Sequence, residues 1–211
     1  TDRPRSLPRI LLDFETVFEK APTVPLSGAL ALAHFLLSQG FDDEAIAELE
    51  EAIELYPRTP AFTTLLGQLY LNKGRTEDAI RLLERALHGG TNDISLSEML
   101  AGAYLEQNRS PEAIALYESI VTMGGHTRTH LRVLGDLYIR THNPAQAAAI
   151  LGRLHDEDAE TLAEVRGKLD DLATQFPKSS EAHMALADAE VKGMSPEKAV
   201  KHFRTALRIN P

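Results

Sequence analysis

The chain has no cysteine, which excludes disulfides, zinc–thiolate sites and thiol nucleophiles while leaving the cellular compartment open. Tryptophan is also missing, and aromatic residues make up only 6% of the 211 positions, which fits a helix-rich interior built from Ala and Leu. No apolar run approaches the roughly 18 residues that span a bilayer. The richest stretch, Leu26 to Leu37, is short and broken by Ser27, Gly28 and His34, so no membrane insertion is expected of this segment. Positive charge is scarce. The 22 Lys and Arg face 31 Asp and Glu, a formal charge of −9, and a nucleic-acid partner needs a basic face that such a chain does not offer.

What the chain does have is a repeat. Thr64 to Leu87 reads as two amphipathic helices joined at Asn72-Lys73-Gly74-Arg75-Thr76, with apolar residues at helical spacing on both sides of the joint. Shifting the frame by 34 residues restores the pattern. Alanines with a large residue four positions on stand at Ala45 (Leu49), Ala79 (Leu83), Ala113 (Tyr117) and Ala147 (Leu151), each 34 residues after the last. Twelve residues before each sits a small residue, Ala33, Gly67, Ala101 or Gly135, and three further on stand Leu36, Tyr70, Tyr104 and Tyr138. Small residues there let paired helices approach closely, and the large ones fill the groove between them. Turns fall where Gly, Asn, Asp and Pro gather, at Gly40-Phe41-Asp42, Gly74-Arg75, Asn108 to Pro111, His142 to Pro144 and Gly193 to Pro196. Ser110-Pro111 and Ser195-Pro196 read as N-caps followed by Pro at the first helical position. No stretch alternates as a strand does.

These residues resemble the tetratricopeptide repeat, a 34-residue helix-turn-helix unit. Its pattern is clearest at Leu66, Gly67, Tyr70, Ala79 and Leu83, and again at Ala199, Phe203, Ala206 and Pro211. The family's usual Trp in the first helix is absent throughout. The resemblance runs from about Leu26 to the end and implies an all-α fold, a right-handed α-solenoid of about 12 helices. One departure interrupts it: Ala147 to Ala199 spans 52 residues instead of 34. Asp156 to Phe176 fills the excess as a further amphipathic helix with Leu162, Val165, Leu169 and Leu172 on one side, a local break in superhelical geometry. The expected organisation is an N-terminal arm and capping helix over 1–25, four repeats over 26–155, an extra unpaired helix over 156–177 and a fifth repeat over 178–211, in one continuous solenoid. The capping helix is expected from about Pro8 to Lys20, where Ile10, Leu11, Phe14, Val17 and Phe18 keep helical spacing. Thr1 carries no initiator Met or signal-like segment and Pro211 falls at a repeat boundary. Both ends read as cut, as expected of a fragment or processed piece of something longer.

In such a solenoid the first helix of each pair lines a concave groove. The resemblance places Leu30, His34 and Leu37 there from the first repeat, Thr64, Gln68 and Leu71 from the second, Glu98 from the third, and Arg132 and Asp136 from the fourth. The groove is thus expected to be apolar at its N-terminal end and charged towards its middle. The clamp by which some family members grip a C-terminal carboxylate needs Lys and Asn where this chain has Leu30, His34, Thr64 and Gln68. The asparagine ladder of others falls on Ala31, Leu65, Met99, Val133 and Ala185. Neither mode is carried by these residues.

Chemistry is sparse. His126 and His130 are four apart, but Gly124-Gly125 puts His126 at or before a helix start and no third ligand follows, so no metal and no cofactor is expected. Nothing pairs two carboxylates in an apolar setting, the Gly-Gly pairs sit at inter-repeat turns where glycine ends a helix, and no catalytic residue is expected. Charge is uneven. Asp42, Asp43, Glu44, Glu48, Glu50, Glu51 and Glu54 crowd one helix, while Lys198, Lys201, Arg204 and Arg208 crowd the last. These readings point to a non-enzymatic scaffold that binds a protein or peptide partner in its groove. The alternatives are a self-assembling homo-oligomer joined through its acidic and basic surfaces, and an accessory repeat domain of a larger enzyme or export machine.

Overall fold

The computed structural model describes residues 26–89, 93–124, 127–154 and 159–211. The expected arm and capping helix within 1–25, and His126, lie outside the described residues. Among those residues there are eleven α-helices and no strand, in two compact units that divide between Asp93 and Ile94.

The first unit holds α1 (Leu26–Gln39), α2 (Asp42–Leu55), α3 (Pro60–Asn72) and α4 (Thr76–His88), each packed on the next. Its interior is the repeat pattern made solid. Ala33 and Leu36 of α1 meet Ala45 and Leu49 of α2 in one buried cluster with Phe62, Leu66 and Ala79. Burying a side chain such as Leu49 stabilises the fold by about 1.5–3 kcal/mol. Leu30, Leu32, Phe35 and Leu37, which make α1 apolar nearly all round, are half-buried against this cluster. The polar ends are matched to the helix dipoles. Glu77 and Asp78 lie in the first turn of α4 and Arg85 and His88 in its last. Lys73, just past α3, bridges Asp42 at 3.5 Å and Asp43 at 2.9 Å at the start of α2.

The second unit holds α5 (Ile94–Glu106), α6 (Ser110–Thr122), α7 (Arg128–Arg140), α8 (Pro144–Gly152), α9 (Ala159–Gln175), α10 (Ser180–Lys192) and α11 (Pro196–Ile209). Helices α5 to α8 pack in sequence, and α8 is only nine residues long. The extra helix read from the sequence is α9. It buries Val165, Leu169 and Leu172, with Thr161 buried and Leu162 only half-buried, and packs against both α8 and α10. Helices α10 and α11 form a close antiparallel pair, and α10 also rests on α8.

Every pair of the repeat pattern turns by the same device. The backbone is left-handed at Gly40 (φ +78°), Gly74 (+72°), Asn108 (+58°), His142 (+58°) and Met194 (+55°). The next residue reaches back five positions: Phe41 N–H donates to Leu36 O at 2.9 Å, Arg75 to Tyr70 at 2.8 Å, Arg109 to Tyr104 at 2.8 Å, Asn143 to Tyr138 at 2.9 Å and Ser195 to Glu190 at 2.9 Å. These are Schellman turns, which satisfy carbonyls that the helix end leaves orphaned. Of the two expected serine caps, Ser195 stands at the N-cap of α11 with Pro196 in the first turn, though without a side-chain cap bond, and Ser110 does not. Helix α6 begins at Ser110 itself, with Arg109 as its N-cap, and the Ser195 hydroxyl contacts Gly193 O at 3.5 Å instead of a helix amide. Arg109 is engaged because it stacks over the Tyr104 ring at 4.4 Å and bonds Glu112 at 2.8 Å. Arg75, one period earlier, does the same with Tyr70 at 4.3 Å and Asp78 at 2.6 Å.

Candidate partner-binding groove

The first helices of the pairs carry all nine residues that the sequence assigns to a groove, and each unit presents its own share. In the first unit α1 offers Leu30, His34 and Leu37 at one helical face, and α3 offers Thr64, Gln68 and Leu71. His34 and Gln68 are exposed, while Leu30, Leu37, Thr64 and Leu71 are half-buried. A leucine in that state spends one side on the core and leaves the other at the surface.

In the second unit the residues are charged, and they are spoken for. The Thr127 N–H donates to His130 Nδ1 at 2.8 Å, which leaves the proton on Nε2. That nitrogen donates to the Glu98 carboxylate and ties α7 to α5. Arg132 donates to Glu164 of α9, and Lys168 grips Asp136 at 2.7 and 2.9 Å while lying 3.6 Å from Glu164. His130, which the sequence offered as half of a metal pair, is thereby a buried positioning residue. No three His, Asp or Glu residues converge among the described residues. Glu164 and Lys168 were missed by sequence reasoning. Their signal was a 32-residue offset from Arg132 and Asp136 with opposite charge, the same offset that separates Glu98 from His130. Glu98 and Asp136 stay exposed and Arg132 half-buried, so this ladder forms a charged surface strip.

The tyrosine column lies on the other side of the first helices. Tyr70 donates to Glu50 and Tyr138 to Glu118, each reaching the second helix of the preceding pair. Burial, and then the nearby Glu50 carboxylate, pushes the Tyr70 phenol up to about 12, and the same causes raise Tyr138 beside Glu118. A hollow of about 540 Å³ opens here between α2 and α4, floored by Leu66 and Tyr70 and walled by Glu50, Glu51, Glu54 and Arg81. A second hollow, of about 620 Å³, lies between α8, α10 and α11 and is lined by Ala145, Ala148, Ala149, Met184 and Ala185 among others. None of the nine groove residues borders either hollow. Where the pattern's tyrosine would stand in the last pair there is Glu190, and Arg166 of α9 meets it at 2.5 Å.

A tetratricopeptide repeat family model matches residues 30–94 and 132–211, and a second tetratricopeptide model matches residues 70–128. The chain belongs to the tetratricopeptide repeat family. Tetratricopeptide repeats are scaffolds for protein–protein interaction, and this protein is one of them. The family is typically non-catalytic, and its partners are proteins. Solved structures agree on the fold. A crystal structure of MamA protein superposes with a TM-score of 0.52 at 18% identity, covering 87% of this chain and 91% of that one. A tetratricopeptide repeat protein from Parabacteroides merdae gives 0.56 at 18%, with 88% and 80% covered. MamA 41-end from Desulfovibrio magneticus RS-1 gives 0.51 at 16%, with 90% and 97% covered. No curated protein sequence matches the chain. Among the described residues no helix is long and apolar enough to cross a membrane.

Proposed function

We propose that this tetratricopeptide protein holds a peptide or helix of a partner protein on the exposed faces of its first helices. The observation that carries the reading is the strip formed by Leu30, Leu37 and Leu71, half-buried yet accessible, with exposed His34 and Gln68 beside it. An amphipathic segment would set apolar residues on the leucines. Thr64 would add a hydroxyl there. On the second unit Glu98, Arg132 and Asp136 would fix the register of a bound segment by charge. We further read the chain as an N-terminal arm and cap, four repeats, the single helix α9 and a fifth repeat.

The test begins with light scattering after size exclusion, over a range of protein and salt concentrations. A constant mass of one chain leaves these faces free for a different protein. Affinity capture is then run with the wild type and with Leu30→Glu/Leu37→Glu/Leu71→Glu. His34→Glu/Gln68→Arg serves as the companion, since both sites are exposed and tolerate substitution. Loss of the same captured protein in both variants, with unchanged helical circular dichroism, supports the reading. Retention in both sinks it, and a mass that climbs with concentration and falls with salt replaces it with self-assembly.

A further inference from the structure

Between α2 and α4, at the end where both helices finish, lies a third and smaller hollow of about 270 Å³. Ile53, Leu82 and Ala86 give it apolar walls, Thr63 of α3 borders it from within, and the exposed Arg58 and Arg85 stand at its rim. Thr63 is the unusual member. It belongs to a column that recurs with the repeat, Ala29, Thr63, Ser97, Leu131 and His183, and every residue of that column is buried. Ala29 and Leu131 are apolar, and Ser97 and His183 have partners. Thr63 is 4% exposed and its hydroxyl has no partner among the described residues. It does not even take the carbonyl four residues back, as a helical threonine can. The described side-chain atoms that are both unsatisfied and sealed from solvent are the Nε atoms of Arg132 and Arg166. The Thr63 oxygen therefore keeps an opening, and the hollow is what it opens on. A buried hydroxyl without a partner costs stability, and a ligand oxygen in the hollow would answer it.

The rim specifies the charge of that ligand. Arg58 forms no ion pair among the described residues. Arg85 has Glu54 at 4.0 Å, with the two side chains 74% and 80% exposed, a pair too open to hold the guanidinium. Both arginines also suit the C-terminal ends of α2 and α4, where cations offset the helix dipole. The repeat does not require them, since Asn92 and Ser119 stand at the same places one period on. We infer that this hollow is a carboxylate-binding site, which takes a glutamate side chain of a partner protein. The guanidinium forks match the flat carboxylate, the Thr63 hydroxyl donates to one of its oxygens, and Ile53, Leu82 and Ala86 cover the methylene stem. Inorganic phosphate has no stem to lay on that apolar lining. This site is separate from the groove faces, none of whose nine residues borders it, and does not rest on the reading given to them.

The experiment titrates the isotope-labelled full chain with two blocked amino acids, N-acetylglutamate N-methylamide and its glutamine counterpart. Nuclear magnetic resonance follows the Thr63 amide and the side-chain N–H groups of Arg58 and Arg85. The glutamate probe is expected to shift them saturably, with the glutamine probe at least about tenfold weaker. Thr63→Val should weaken the glutamate probe by about three- to tenfold. Its melting should stay that of the wild type or rise, because the hydroxyl has no partner to lose. Arg58→Gln/Arg85→Gln, at two exposed sites, should erase the preference between the probes and leave melting unchanged. Equal binding of the two probes by the wild type overturns the proposal, and so does a Thr63→Val variant that binds as the wild type does. Inorganic phosphate moving the same resonances at lower concentration than the glutamate probe also overturns it. So does a mass that rises with protein concentration and returns to one chain in Arg58→Gln/Arg85→Gln, because the occupant would then be a second copy.

Discussion

Replacing Gly135 by alanine should destabilise the second unit, although alanine is the better helix former. A Cβ built on Gly135 lies 2.9 Å from Leu151 Cδ2 and 3.2 Å from its Cγ, and Leu151 is fully buried with nowhere to go. Overpacking of this kind costs about 1–3 kcal/mol, while the propensity gain of Gly to Ala in a helix interior is about 0.5–1 kcal/mol. The net loss is therefore about 0–2.5 kcal/mol. The sign should reverse once Leu151 is shortened. In a Leu151→Ala background, which itself costs about 2–5 kcal/mol, the clash is gone and Gly135→Ala should stabilise by about 0.5–1 kcal/mol. Gly167 is exposed in α9, and no atom lies within 4 Å of where an added Cβ would stand. It supplies the propensity term alone, so Gly167→Ala should stabilise by the same amount in either background. Urea titrations followed by circular dichroism at 222 nm give all the corners of this cycle. Gly135→Ala stabilising the wild-type background as much as Gly167→Ala would refute the close helix approach and with it the repeat register.

Three other outcomes follow from the turns and the buried rings. Met194→Gly should raise stability by about 0.5–1 kcal/mol, because a left-handed residue with a Cβ carries a steric penalty that glycine avoids, and Gly74→Met should lose a similar amount in the same urea assay. Tyr70 holds its proton up to about pH 12 in the folded protein, so the folded state binds more protons than the unfolded chain above pH 10. Its stabilisation is intact below pH 10 and is lost as the pH rises from 10 towards 12; absorbance at 295 nm should show tyrosines ionising late, and Tyr70→Phe/Tyr138→Phe should remove them. His183 and His202 stack with ring centroids 5.6 Å apart, and burial, then the charge of His183, holds His202 below the usual imidazole range. The neutral ring favours the fold, so stability present above pH 6.5 should decline as the pH falls below it, and His202→Gln should flatten that slope between pH 8 and 5.5.

Most of the helical architecture was legible in the sequence because tetratricopeptide packing is written in single columns. Gly135 needs a large neighbour, Leu151 is that neighbour, and both are fixed by counting 34. The turn column was legible at Gly40 and Gly74, but Met194 gave no sign of a left-handed backbone, because there the five-back hydrogen bond from Ser195 imposes it. The groove residues could be placed on their helix faces, yet their partners could not be read. Arg132 and Asp136 are held by Glu164 and Lys168, and that pairing depends on α9 lying beside α7, which no repeat period announces. Of the two serine caps only Ser110 misled. A Ser-Pro step is a good N-cap in isolation, but α6 starts one residue earlier, with Arg109, stacked on Tyr104, at its N-cap.

The ladder on α9 also works as an address. Repeats of one period invite slippage, since a helix pair shifted by 34 residues, or swapped with the same pair of another molecule, meets nearly the same apolar knobs. The 52-residue step breaks that equivalence. Where α7 has Arg132 and Asp136, α10 carries Met184 and Asp188, so the final pair in the place of α7 would leave Glu164 to its neighbour Lys168 alone. The ladder thus adds a bias of about 0–1 kcal/mol per pair towards the native helix order, a small mark of identity on elements whose apolar shapes are nearly alike.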